Sequence, residues 1–218
     1  MKKAELARTI DHTLLKVDID YPNLLNLCHE AVAFNFASVA VFPSNVELCA
    51  QALKGTAIKV CAALAFPLGG SSPEAKAFET ADAVKKGAQE LDIVINVGAV
   101  KSGRWDIVRR EMELFQEAAA GHTTKVILEC CFLSQEEKIK ACEIAKEVGV
   151  SFVKTSTGIY AGATVEDVRL LKKTCGDAVE VKAAGGIRTV EDAQGLLAAG
   201  ASRLGCSAGI GIYNAWPE

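Results

Sequence analysis

The sequence predicts one closed, parallel (β/α)8 barrel spanning residues 1–218, and three observations carry that expectation. Short apolar runs alternate along the whole chain with longer stretches of helical periodicity, and crossovers of that kind make parallel sheets. The alternation repeats eight times in 218 residues, a count that closes a barrel, at a length near the lower end of the usual range. No linker of low complexity interrupts it, so a single domain is expected.

The predicted strands run, in order, over Thr9–Thr13, Ser38–Phe42, Ile58–Ala65, Leu91–Val97, Lys125–Cys130, Ser151–Lys154, Glu180–Ala183 and Arg203–Gly205. Each is a short apolar run closed by Gly, Pro, Thr or Ser. Between them, Tyr21–Asn35 places Leu24, Leu25, Leu27, Cys28, Ala31 and Val32 near the i, i+3, i+4, i+7 spacing of one helical face. Ser72–Lys86 opens with a cap residue and Pro73, and stops at Gly87. Helices over Ser102–Ala120 and Ser134–Val148 are closed by Gly121 and Gly149, and Ser134 with Glu137 makes a capping box. Two further helices begin at Thr164-Val-Glu-Asp and Thr189-Val-Glu-Asp, with acids in the first turn where the helix dipole favours them.

Composition narrows the function. Half the residues are hydrophobic and 23% are charged, with a net charge of -3 and no Lys/Arg block longer than a pair. Nucleic acid and anionic membranes are therefore not expected as partners. No apolar run approaches the ~18 residues of a membrane span, and the N-terminus lacks the apolar core of a secretory signal. The 8 cysteines are scattered, apart from Cys130-Cys131, and form no C-x-x-C. They read as reduced, mostly buried residues of a cytoplasmic protein. The 3 histidines (His12, His29, His122) have no metal-binding spacing, so neither a metal nor a cofactor is expected.

In such a barrel, chemistry belongs at the C-terminal ends of the strands. Asp92 lies inside L-D-I-V-I-N-V-G and, by alternation, shares a face with Val94 and Asn96. Alone, it fits a structural ion pair as well as a catalytic carboxylate. Lys154 ends F-V-K-T, and alone it fits a solvated strand terminus. Lys182, in E-V-K-A-A-G-G-I, arrives at a matching height one β/α unit later. Neighbouring strands lie ~4.8 Å apart. Two inward lysines at that separation repel by roughly 3 kcal/mol at an effective dielectric of ~20. Enzymes use such a clash, because a lysine must lose its proton to attack a carbonyl. Gly185-Gly186 after strand seven, and Gly205 and Ser207 after strand eight, occupy the loops where barrels usually hold phosphate.

On these residues the chain resembles the deoxyribose-phosphate aldolases, class I aldolases with a (β/α)8 fold. The likeness runs from I-D-H-T-L-L through A-F-P-L-G, L-D-I-V-I-N-V-G, F-V-K-T-S-T-G and K-A-A-G-G-I-R-T to G-A-S-R-L-G-C-S-A-G, nearly the whole length. It implies that Lys154 forms a Schiff base, with Lys182 as neighbouring cation and Asp92 as proton relay. Gly158, Gly185, Gly186, Gly205 and Ser207 would hold phosphate, with Thr157 beside Gly158 on the pocket wall, and Asp11 and Thr13 would meet substrate hydroxyls. Two positions depart from the family pattern: Ala40 stands where Cys is frequent, and Cys130-Cys131 where threonine is more usual. Both concern the pocket lining and leave the lysines untouched.

The implied reaction is reversible cleavage of 2-deoxy-D-ribose 5-phosphate to glyceraldehyde 3-phosphate and acetaldehyde. The implied partners are therefore a phosphosugar and small aldehydes, with a homodimer or tetramer open. Another phosphosugar isomerase or synthase, and a binding protein that kept the fold, are the alternatives. Alternation further places Lys125, Glu129, Asp92, Glu180, Lys154 and Lys182 inside the barrel, three cations against three carboxylates. The expectation is that Glu180 lies beneath Lys182 and pairs with Lys125; the alternative puts both at the solvated bottom rim. Tyr213 and Trp216 read as exposed aromatics, serving an interface or the packing of the tail.

Overall fold

The computed structural model describes residues 1–217. Eight parallel strands close on themselves in chain order, with the first hydrogen-bonded to the eighth. They are β1 (Ile10–Thr13), β2 (Ser38–Val41), β3 (Lys59–Leu64), β4 (Glu90–Val94), β5 (Thr123–Ile127), β6 (Phe152–Lys154), β7 (Glu180–Ala184) and β8 (Arg203–Cys206). The helices are α1 (Lys3–Ala7), α2 (Tyr21–Ala33), α3 (Val46–Ala52), α4 (Pro73–Lys85), α5 (Val97–Lys101), α6 (Trp105–Ala118), α7 (Gln135–Val148), α8 (Val165–Cys175), α9 (Val190–Ala198) and α10 (Gly209–Ala215). The expected barrel is the observed one.

The caps read from the sequence close the helix ends as expected. Ser72 accepts a hydrogen bond from the Ala75 N–H, and Ser134 and Glu137 form the reciprocal capping box of α7. Thr164 and Thr189 cap α8 and α9 in the same way. Two expected elements end early for local reasons. β4 stops at Val94 because Asn96 turns to cap α5, accepting from the Ala99 N–H at 2.9 Å. β5 stops at Ile127 because Glu129 takes a left-handed conformation, φ 53°, and opens a 3-10 turn. The helix expected from Ser102 begins at Trp105 instead, since Gly103 at φ 67° separates α6 from α5, a short helix the periodicity did not show.

Alternation sorts the strands into two environments. Val39, Val41, Val60, Leu64, Leu91, Ile93, Val126, Val153, Val181 and Leu204 face the helices, and all belong to the hydrophobic core between sheet and helix ring. The interior is built differently. Small residues (Ser38, Ala40, Cys61, Ala63 and Gly205) line the β2, β3 and β8 side, which leaves room for long charged side chains from β4 to β7. A Cβ at Gly205 would sit 3.1 Å from Cε of Lys182, so a larger residue there would crowd that lysine. Trp216 is buried, its indole N–H donating to the Met1 carbonyl, and Tyr213 packs edge-on against Phe34. The expectation of exposed aromatics is corrected: both pack the tail against the N-terminal part of the barrel.

Candidate active site

The strand register brings the charged residues together. Lys154 of β6 stands beside Lys182 of β7, and Asp92 of β4 beside Lys125 of β5. Asp92, fully buried, is the hub. Its Oδ2 receives Lys154 Nζ at 2.8 Å and Lys182 Nζ at 2.6 Å. Its Oδ1 receives the Cys61 thiol at 3.0 Å and lies 3.0 Å from Lys125 Nζ. Below this level Lys125 reaches Glu90 at 2.5 Å, and Arg203 bridges Glu90 and Asp11. Asp11 also holds Lys182 at 2.5 Å and accepts from the Ser38 hydroxyl at 2.7 Å.

This connected network contains four cations (Lys125, Lys154, Lys182 and Arg203) and three carboxylates (Asp11, Glu90 and Asp92). Charges removed from water must be paired. The network balances when one cation gives up its proton, and Lys154 is the member whose surroundings favour that. Burial is the largest influence on Lys154 and pushes its pKa down; Asp92 opposes and Lys182 assists, leaving it below the ordinary lysine value. Lys182 goes the other way. Burial lowers it too, but Asp11 and then Asp92 outweigh burial and hold its proton above the ordinary value. Burial pushes the Asp92 carboxyl up, yet Lys125, Lys154 and Lys182 together keep it well below the carboxylate range. Two neighbouring lysines with pKa values driven apart are the pattern of an assigned nucleophile and an assigned proton donor. The expectation that Lys182 is what makes Lys154 reactive needs adjustment: desolvation acts first, and Lys182 adds to it.

Above the network lies a cavity of about 300 Å³ with Lys154 on its floor. Thr13, Thr157, Gly158, Gly185, Gly186, Gly205 and Ser207, all named from the sequence as candidate substrate contacts, line it. The glycines are needed for contact between loops. Gly158, Gly185 and Gly186 have φ of 85°, 85° and 76°, and a Cβ on Gly185 would lie 2.6 Å from the Cα of Gly158. The loops after β6 and β7 are also joined by the Ala163 N–H donating to the Gly185 carbonyl at 3.0 Å.

Asp11 is not on that wall. It is fully buried beneath Lys182 and engaged with Lys182, Arg203 and Ser38, so its expected contact with substrate hydroxyls is replaced by support of Lys182. Glu180 is exposed at the start of β7, and Lys125 pairs with Glu90 and Asp92 instead; the expected Glu180–Lys125 pair is not formed. Lys125 is not at a solvated rim either, since it is fully buried. Glu129, expected inside the barrel, is buried just past the end of β5, where it accepts from the Thr157 N–H at 3.1 Å and steadies the pocket wall. Sequence reasoning missed Glu90 and Arg203, the first residues of their strands, along with Lys16, Phe66, Ile159 and Arg188 on the cavity wall. Arg188 stands inside the K-A-A-G-G-I-R-T run, two residues past Gly186, and that was its available signal.

A parallel barrel with a buried lysine pair and shared carboxylate under a glycine-walled cavity is the architecture of a carbonyl-handling enzyme of the aldolase kind. Residues 6–215 match the DeoC/LacD family aldolase model, and the chain belongs to that family. It is similar to a deoxyribose-phosphate aldolase of Clostridium perfringens, 50% identical over 97% of this chain and 96% of the relative. A deoxyribose-phosphate aldolase of Streptococcus sanguinis is 51% identical over 95% of each chain. Among solved structures, the tetrameric deoxyribose phosphate aldolase of Aeropyrum pernix superposes with a TM-score of 0.92 at 29% identity, over 98% of this chain and 91% of that one.

Proposed function

We propose that this chain cleaves 2-deoxy-D-ribose 5-phosphate reversibly to D-glyceraldehyde 3-phosphate and acetaldehyde, through a Schiff base on Lys154. The observation that carries the reading is the cavity-floor lysine whose proton is disfavoured, one strand from a lysine whose proton is held.

Neutral Lys154 adds through its Nζ lone pair to the C1 aldehyde of the open-chain sugar, and the carbinolamine loses water to give an iminium. As the C3 hydroxyl loses its proton, the C2–C3 bond breaks. Its electron pair moves to form the C1–C2 double bond of an enamine, and C3 leaves as the aldehyde carbon of glyceraldehyde 3-phosphate. Protonation of the enamine at C2 and hydrolysis of the resulting iminium release acetaldehyde and free Lys154. Asp92 and Lys182, acting through a water, move the protons at the C3 hydroxyl and at C2. Lys182 is suited to donate because Asp11 beneath it and Asp92 beside it keep it charged. Gly158, Gly185, Gly186, Gly205 and Ser207 offer a backbone-lined wall for the phosphate, and Thr13 and Thr157 offer hydroxyls to the sugar.

The same reading makes the chain a single catalytic domain of a cytoplasmic homo-oligomer. No helix among the described residues is long and apolar enough to cross a membrane, and the Aeropyrum pernix relative is tetrameric. The test is turnover. With 2-deoxy-D-ribose 5-phosphate the protein should release acetaldehyde and triose phosphate in equal amounts, and Lys154→Met should release neither. Turnover surviving in Lys154→Met would remove the covalent mechanism.

A further inference from the structure

We propose that Lys76 of α4 and Glu111 of α6, a buried ion pair outside the barrel, are positioning residues that hold the end of β4 and thereby hold Asp92 against Lys154. The proposal rests on Lys154 being the imine-forming lysine.

The two side chains are 0% and 3% exposed, and their charged atoms meet at 2.5 Å. What they grip is backbone. Lys76 Nζ donates to the Val94 carbonyl at 2.8 Å, and the second carboxylate oxygen of Glu111 accepts from the Asn96 N–H at 2.8 Å. Both groups lie where β4 leaves the sheet. The β3–β4 register ends with Leu64 opposite Ile93, so Val94 and Asn96 have run past the last paired residues of β3. β3 has turned away there, at Ala65 with φ 48°. The Ala65 N–H is itself held by a carboxylate of α4, that of Glu79, at 2.7 Å. A buried carbonyl and N–H without partners are costly, and a lysine and a glutamate reaching in from two helices supply both.

The same stretch is closed from a third side. Gly69, in the loop between β3 and α4, approaches so closely that a Cβ there would lie 2.1 Å from the Ile95 carbonyl oxygen. One residue of sheet separates the clamp from the hub, since Asp92 is two positions before Val94 on the opposite side of Ile93. Buried ion pairs are a poor means of stabilising a fold, because apolar residues of the same volume often serve as well. This pair directs its remaining hydrogen bonds to a strand end next to the carboxylate shared by Lys125, Lys154 and Lys182. Its role is therefore to fix the height and twist of that strand.

Four variants test this, each read by kcat, KM and the pH midpoint of cyanoborohydride trapping of the acetaldehyde imine. Lys76→Met and Glu111→Leu each strand a buried charge, so the double variant Lys76→Met/Glu111→Leu is the fold-preserving control. The double variant should remain folded, lose about tenfold or more in kcat, and keep KM within about threefold. Its trapping midpoint should move to lower pH by about half a unit, because an Asp92 that has drifted from Lys154 stabilises its cation less. Glu111→Gln keeps an acceptor for the Asn96 N–H and should retain more activity than Lys76→Met. A folded double variant with unchanged kcat and midpoint overturns the proposal and leaves the pair as structural filling. Absence of any trapping at Lys154 in the unaltered protein would instead overturn the imine reading itself.

Discussion

Replacing Lys182 by Met removes one charge from the centre of the network while keeping a side chain of similar length and volume. Lys154 and Lys182 both touch Oδ2 of Asp92, at 2.8 and 2.6 Å, so their nitrogens are at most about 5.4 Å apart. At that separation and an effective dielectric of ~20, their repulsion is about 3 kcal/mol, equivalent to roughly two pH units. The substitution removes this repulsion, and it also leaves Asp92 with one fewer competitor for its attraction to Lys154. Both changes stabilise the Lys154 cation, so both push its pKa up. Burial is unchanged, and burial is the leading cause of its depression, so full return to a solvent lysine is not expected. The assay follows imine formation with acetaldehyde by cyanoborohydride trapping across pH and reads the alkylated peptide by mass. The midpoint should rise by about one to two units, and the fraction of neutral Lys154 at pH 7 should fall by about tenfold or more. A midpoint that moves by less than about 0.3 unit, or toward acid, would refute the electrostatic coupling of the two lysines.

Gly185→Ala should raise KM for the phosphorylated sugar by about tenfold, because its Cβ would press on Gly158 and displace the wall offered to phosphate. Unphosphorylated 2-deoxyribose should be far less affected, and equal losses with both sugars would contradict a phosphate role for that loop. Acid sensitivity follows from Asp11 and Asp92, whose pKa values are held low although burial raises them, because the surrounding cations outweigh it. A depressed folded-state pKa stabilises the fold above the unfolded value, near ~4, and that contribution is lost as pH falls below it. The thermal midpoint should therefore stay level from pH 7 to about 5 and drop steeply below about 4. Asp92→Asn should flatten that acid limb, and an unchanged limb would mean that other carboxylates govern it.

Much of the architecture was legible because barrel, helix caps and strand-end motifs are local or periodic signals. Lys154 and Lys182 could be placed side by side because their strands are consecutive and the two lysines fall at nearly the same position along them. Alternation also put Asp92 on the inner face. What alternation does not report is depth. Glu180 and Lys182 share a face of β7, yet Glu180 is solvent-exposed at the bottom while Lys182 is fully buried. Strand limits were the second weak point. Starting β4 at Leu91 concealed Glu90, which shares Lys125 with Asp92. Arg203 was visible only as the first residue of β8, where a solvated terminus is the ordinary reading, and nothing local reveals that Asp11 and Glu90 converge on it. The Lys76–Glu111 clamp was beyond reach for a different reason: its partners are backbone atoms exposed by a strand end that the periodicity placed three residues too late.

The central claim is that burial and the shared carboxylate leave Lys154 the one network lysine free to act as a nucleophile, while Lys182 stays charged. Reductive trapping of the unaltered protein with acetaldehyde, followed over pH and located by peptide mass, measures this directly. The expected result is an ethyl group on Lys154, with a midpoint below the ordinary lysine value of ~10.4, and an unmodified Lys182. Alkylation on Lys182, or a midpoint at the ordinary lysine value, would contradict it.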